Sequence, residues 1–150
     1  MKQVQDSPIS IIIVSGRSGS GKTSVLNILE DFGYYVIDNL PPSLLAGAVA
    51  RLTDDTNIRK IALGVDVRVP GADLSNFPTV HEELIRQYGE FAIKVLYVTA
   101  DEPVLVARFG ATRRVHPLMA NGTVGNLPKA IHSEIGLLEP IAQLADIKIN

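Results

Sequence analysis

The stretch Gly16-Arg17-Ser18-Gly19-Ser20-Gly21-Lys22-Thr23 decides the reading of this chain. It satisfies G-x-x-x-x-G-K-[ST] at every fixed position. Before it, Ile9–Ser15 is β-branched and apolar, as suits a strand buried on both faces. After it, Lys22–Phe32 carries Val25, Leu26, Ile28 and Leu29 at helical spacing. Strand, glycine-rich loop and helix in that order make a phosphate site for physical reasons. Gly16, Gly19 and Gly21 permit backbone turns and close approaches that a Cβ would block. The N–H groups so presented converge on an anion at a helix N-terminus. Lys22 adds an ammonium for the β and γ phosphates. The Thr23 hydroxyl suits Mg²⁺, which prefers oxygen ligands. The other reading of the motif, a Gly/Ser-rich turn that happens to carry Lys-Thr, leaves the flanking strand and helix unexplained.

Working outward, strand-like and helix-like segments alternate. Tyr34–Asp38 reads as a short strand entered through Gly33, and Pro41 and Pro42 open a helix continued by Leu44, Leu45, Ala48, Val49 and Leu52. Ile58–Val67 is a third strand, and 70–78 is a turn-rich connector. Thr79–Tyr88 is expected to be helical, Phe91–Thr99 a fourth strand, and Glu102–Phe109 a helix. The stretch 110–128 reads as irregular, Lys129–Leu144 as a helix and Ala145–Asn150 as a fifth strand. Such alternation predicts an α/β fold with a mostly parallel sheet covered by helices on both faces. The chain's last element is an apolar strand with no helix to cover it, the pattern expected of a piece of a longer protein, the alternative being a natural C-terminal edge strand.

Composition narrows the chemistry. The chain has 150 residues, enough for one domain, with 46% hydrophobic and 20% charged residues. Its formal net charge is −2, which argues against gripping nucleic acid through bulk charge. There is no Cys, so disulfides, thiolate zinc sites and cysteine nucleophiles are excluded. The N-terminal apolar run is far too short to span a bilayer, so a cytoplasmic location without membrane contact is expected. His81, His116 and His132 are too scattered for a metal site, and His81, beside Glu82 and Glu83, is expected at the surface.

Three further groups invite a role. Two strands run into an Asp, Asp66 and Asp101. In nucleotide-kinase-like sheets ordered 2-3-1-4-5 the third strand neighbours the first, which favours Asp66 as the acidic magnesium partner. Asp101 has the alternative role of a helix N-cap. Asp38 ends the second strand, where it could orient an acceptor hydroxyl or a magnesium-bound water, or simply cap the next helix. Arg108, Arg113, Arg114 and His116 form a basic group with no acid among them. In kinase-like folds this is the lid position, where Arg neutralises charge on the transferring phosphoryl group. The plainer alternative is a solvated basic loop. Lys22, Asp66, Arg113 and Arg114 are thus the expected catalytic residues, with Thr23 and Asp66 on the metal.

Taken together, the phosphate loop, Leu29-Glu30-Asp31-Phe32-Gly33-Tyr34-Tyr35, Asp38-Asn39-Leu40-Pro41, Asp66-Val67-Arg68 and Thr112-Arg113-Arg114-Val115-His116-Pro117-Leu118 resemble the RapZ/YvcJ nucleotide-binding family. The resemblance runs from about Ile11 to the end of the chain, through Leu137-Leu138-Glu139-Pro140. It implies a P-loop NTPase domain of nucleotide-kinase-like type that binds ATP and GTP with Mg²⁺ and hydrolyses them weakly. It implies nucleotide contacts from the loop, Gly16 to Thr23, and guanine-nucleotide contacts from Asp66, Val67, Arg68 and Val69. At the last of these the family pattern has Asn, so Val69 brings no side-chain amide. It further implies a second domain beyond residue 150, for small regulatory RNA, amino-sugar phosphate and a ribonuclease, and a homo-oligomer is expected. Two other readings stay open: a small-molecule kinase with its acceptor near Asp38, and an oligomerisation scaffold whose loop merely holds phosphate.

Overall fold

In the computed structural model, which describes residues 8–17, 20–65, 74–100, 103–105, 107, 116–120 and 126–149, the N-terminal apolar run is the centre of a sheet. Strand β1 (Ser10–Gly16) is flanked by β3 (Lys60–Val65) and β4 (Ile93–Val98). Strands β2 (Tyr35–Ile37) and β5 (Ile147–Ile149) close the edges, giving a five-stranded sheet in the order β2-β3-β1-β4-β5. Every pairing is parallel. The register sets Ser15 against Val65 on one side and Gly16 against Val98 on the other. The carboxyl ends of the three inner strands therefore finish level with the start of the phosphate loop.

Successive residues of a strand face opposite sides of its sheet, and β1 uses both. Ile11 and Ile13 join a core with Leu45 and Val49 of α2 (Pro42–Asp55) and Phe77 and Leu84 of α3 (Phe77–Tyr88). Val14 faces the other way, with Ala62, Val98 and Leu26 of α1 (Lys22–Asp31). A fully buried aliphatic side chain contributes roughly 1.5–3 kcal/mol, so this alternation ties both helical layers to one strand. The short helix α4 (Pro117–Ala120) and the long helix α5 (Leu127–Ala142) lie against the first layer, through Leu118, Ala130, Leu138 and Ile141. Residues 103–105 and 107 are helical, within the span expected to be. Among the described residues no helix is long and apolar enough to cross a membrane.

Two expected boundaries move for one reason. Pro78 and Pro128 read as the ends of irregular connectors, but each sits in the first turn of a helix, which starts at Phe77 and at Leu127. The first helical turn has no intrahelical use for its N–H groups, so proline fits there. Asn126 supplies the missing acceptor for α5, taking the Lys129 N–H at 3.0 Å. The stretch 110–128 is accordingly not irregular throughout, since α4 falls within it.

Candidate functional site

The site grows from the end of β1. Ser15 is fully buried, and its hydroxyl donates to the Val65 carbonyl at 2.7 Å, pinning β1 to β3 one residue before the loop begins. Gly16 follows, with its Cα pressed against the backbone of β4. A Cβ here would run into the Val98 carbonyl, and backbone cannot move aside as a side chain can. The Arg17 N–H then donates to the same Val98 carbonyl at 3.0 Å. The Ser20 N–H returns to the Arg17 carbonyl at 3.0 Å, turning the loop toward α1. Gly21 completes the turn with φ 107° and ψ 17°, a left-handed conformation natural to glycine, and is the N-cap of α1. No side chain caps this helix. The N–H groups of a helix's first turn have no acceptor within the helix, which suits an anion at this end of α1.

Lys22 is the first residue of α1, and Thr23 beside it is exposed. The Lys22 ammonium donates to Asp38 Oδ1 at 2.8 Å. Asp38 follows β2 directly, and the same oxygen accepts the Asn39 N–H at 2.7 Å, with Asn39 at φ 60°. The Leu40 N–H binds the Gly64 carbonyl at 2.9 Å, so this loop is docked on β3. Gly64 makes the docking possible: a Cβ there would overlap the Asp38 carboxylate. Asp38 therefore does not cap α2, whose cap position is Pro41 with no side-chain hydrogen bond. The sequence places Asp38 at a strand end, and the structure brings it to the phosphate-loop lysine.

Beneath the loop lies a buried polar cluster. Arg17 is 7% exposed, and its Nε lies 3.9 Å from Oε1 of Glu134 on α5, a carboxylate with no exposure. The other oxygen of Glu134 is 3.5 Å from Nε2 of His116, also fully buried. His116 accepts the Leu118 N–H on Nδ1 at 3.1 Å, which leaves Nε2 as the nitrogen facing Glu134. The solvated-loop reading of the basic group thus does not hold for His116. Tyr97 on β4 feels the cluster: burial, then the negative charge of Glu134, push its phenol up to about 12 against a smaller opposing effect of Arg17, and Glu139 adds to the rise. His81, expected at the surface, is partly buried, its ring 5.8 Å from that of Phe77. Desolvation lowers its pKa against the opposing charge of Asp146.

The structure thus brings together Gly16, Arg17, Ser20, Gly21, Lys22, Thr23 and Asp38 from the sequence-derived set. Ser18, Gly19, Asp66, Val67, Arg68, Val69, Asp101, Arg108, Arg113 and Arg114 lie outside the described residues. Two residues were not anticipated. Gly64 interrupts an apolar strand, which signals a close approach of other backbone or a ligand. Glu134 lies on the buried stripe Ala130, Glu134, Leu138, Ile141, and an acid at helical spacing among core residues was its available signal.

The sheet order and the strand–loop–helix at its centre define an α/β fold of the P-loop kinase type. Among solved structures, the chain is similar to a shikimate kinase from Acinetobacter baumannii in complex with shikimate. That match has TM-score 0.53 and 18% identity, over 95% of this chain and 83% of that one. A shikimate kinase from Bacteroides thetaiotaomicron matches at TM-score 0.52 and 15% identity, over 94% and 86%. At such identities the likeness is one of fold. The family is shown by sequence: the RapZ-like N-terminal domain matches residues 9–150, and the chain belongs to that family. A relative from Psychrobacter arcticus named nucleotide-binding protein is 61% identical over 148 residues, which is 95% of this chain and 46% of the relative. One of the same name from Hahella chejuensis is 44% identical over 144 residues, covering 95% and 49%. The chain spans about half the length of these curated relatives.

Proposed function

We propose that this domain binds a nucleoside triphosphate with Mg²⁺, ATP or GTP, at the loop Gly16–Thr23, and hydrolyses it slowly as the nucleotide-sensing part of an RNase-adapter-type protein. The observation that carries the reading is the loop's geometry: Gly21 in a left-handed turn caps α1, and Lys22 follows at the carboxyl edge of the sheet. The names of the curated relatives agree with it. In this reading Lys22 contacts the β and γ phosphates, while Thr23 and Asp66 serve the metal. Mg²⁺ would supply charge neutralisation across the phosphates. Asp66, Val67, Arg68 and Val69 serve the base, and Arg113 and Arg114 the departing phosphoryl group. RNA and a ribonuclease would be engaged by the further half that the relatives possess, and assembly into a homo-oligomer belongs to the same proposal.

A second reading, a kinase for a small molecule, is favoured by one contact. Lys22 and Asp38 meet at 2.8 Å, so a hydroxyl held by Asp38 would lie beside the phosphate-binding lysine. One set of assays separates the two. Hydrolysis of Mg-ATP and Mg-GTP is followed alone and with a panel of hydroxylated acceptors, in the wild type, Arg113→Ala and Arg114→Ala. Slow hydrolysis that no acceptor accelerates, and that falls more than affinity does in the Arg variants, is expected. Acceptor-dependent transfer would establish the kinase instead.

A further inference from the structure

We propose that Glu134 is a positioning residue for the phosphate loop, facing Arg17 with one oxygen and His116 with the other, so that what happens in the loop is felt at the His116–Leu118 segment. For its nucleotide arm the inference rests on the function proposed above. Three parts of the chain that are far apart in sequence meet in this carboxylate: the loop after β1, the start of α4 and the middle of α5. Its Oε1 faces Arg17 Nε at 3.9 Å and its Oε2 faces His116 Nε2 at 3.5 Å. Arg17 lies within the loop, its own N–H fixed on Val98 and its carbonyl holding the Ser20 N–H. A displacement of Arg17 therefore moves both ends of the turn that shapes the loop.

Glu134 and His116 have no exposure and Arg17 has 7%. A buried carboxylate is costly unless charge and hydrogen bonds compensate it. Coulombic interactions are also stronger here than at a wet surface, so a change in the position of Arg17 is transmitted to Glu134 rather than screened. The Leu118 N–H donates to Nδ1 of His116, so a shift of Glu134 is registered at the opposite ring nitrogen, Nε2. At 3.9 and 3.5 Å the two contacts act through charge rather than as strong hydrogen bonds. Among the described residues, Glu134, Arg17 and Glu139 act by charge on the buried phenol of Tyr97.

The test reads the ring nitrogens of His116 by NMR in protein labelled with ¹⁵N-histidine, with the backbone amides of Gly21 and Lys22 reporting on the loop and His81 as an internal control. The expected signature in the wild type is a bare Nδ1 and a protonated Nε2. On titration with Mg-ATP, the His116 ring signals should move along the same saturation curve as the loop amides while His81 stays still. In Glu134→Gln, affinity should fall about threefold, since a pair 3.9 Å apart acts through charge and not through a hydrogen bond, and the His116 response should disappear. His116 signals that ignore a titration the loop amides report as saturating overturn the proposal. So does a Glu134→Gln variant that matches wild type in affinity and in its His116 response. Loop amides that do not respond to Mg-ATP at all count against nucleotide binding. In that case, or if Glu134→Gln does not fold, Arg17→Met decides: its His116 ring signals must shift relative to wild type, and unchanged signals end the proposal.

Discussion

Lys22 Nζ sits 2.8 Å from Asp38 Oδ1, with Lys22 11% and Asp38 33% exposed at the side chain. The lysine that the motif assigns to phosphate is thus held by a carboxylate from the end of β2. A triphosphate entering the loop would compete with that carboxylate for Lys22 and be repelled by it. Asp38→Asn should therefore raise affinity for Mg-ATP by about three- to fivefold, in line with the ~1 kcal/mol scale of a solvent-accessible pair. Isothermal titration of the two proteins checks it, and weaker binding in the variant would show that Asp38 supports the ligand directly.

Gly64→Ala should disturb the same pair from below. The added Cβ would overlap the Asp38 carboxylate, which must leave its place over β3. The expected loss is about 1 kcal/mol or less in urea denaturation, because what the Cβ meets first is the end of a part-exposed side chain that can turn away. Mg-ATP affinity should move in the same direction as in Asp38→Asn. A variant of wild-type stability and affinity would mean that Asp38 holds Lys22 equally well from another rotamer.

Tyr97 gives the fold a dependence on alkaline pH. Its phenol is raised to about 12 in the folded protein from an ordinary 10.0, by burial first and by Glu134 next. The folded state thus keeps the proton longer than the unfolded chain does. This contribution to stability is complete below about pH 10 and is lost as pH rises from about 10 to 12. Tyr97→Phe should flatten the decline of stability over that window, followed by chemical denaturation at a series of pH values. Tyrosinate absorbance should show a late-ionising phenol in the wild type that is missing from the variant.

Much of this was legible in the residues. The β-branched run before the loop and the strand–helix alternation were enough for a mostly parallel sheet with helices on both faces, whereas the order of its strands came from the likeness to nucleotide-kinase-like sheets and not from the alternation. Prolines misled at Pro78 and Pro128, since a proline marks a break in either direction and only the following residues decide whether a helix starts there. Asp38 was visible as a strand-end acid, but its partner Lys22 was not, because the pair depends on Gly64 leaving room above β3. The cluster of Arg17, Glu134 and His116 was the least legible part. Charged types are expected outside, and only the three-dimensional meeting of a loop, a short helix and a long one makes their burial tolerable.

The central claim is that the loop Gly16–Thr23 is a nucleotide site. Calorimetric titration with Mg-ATP and Mg-GTP, in the wild type and in Lys22→Ala, tests it most directly. The wild type should bind at least one of the two. Lys22→Ala should lose about 2–3 kcal/mol of that binding, the worth of a charge-assisted phosphate contact, with its fold intact. Absence of binding in the wild type, or equal affinity in the two proteins, would contradict the account.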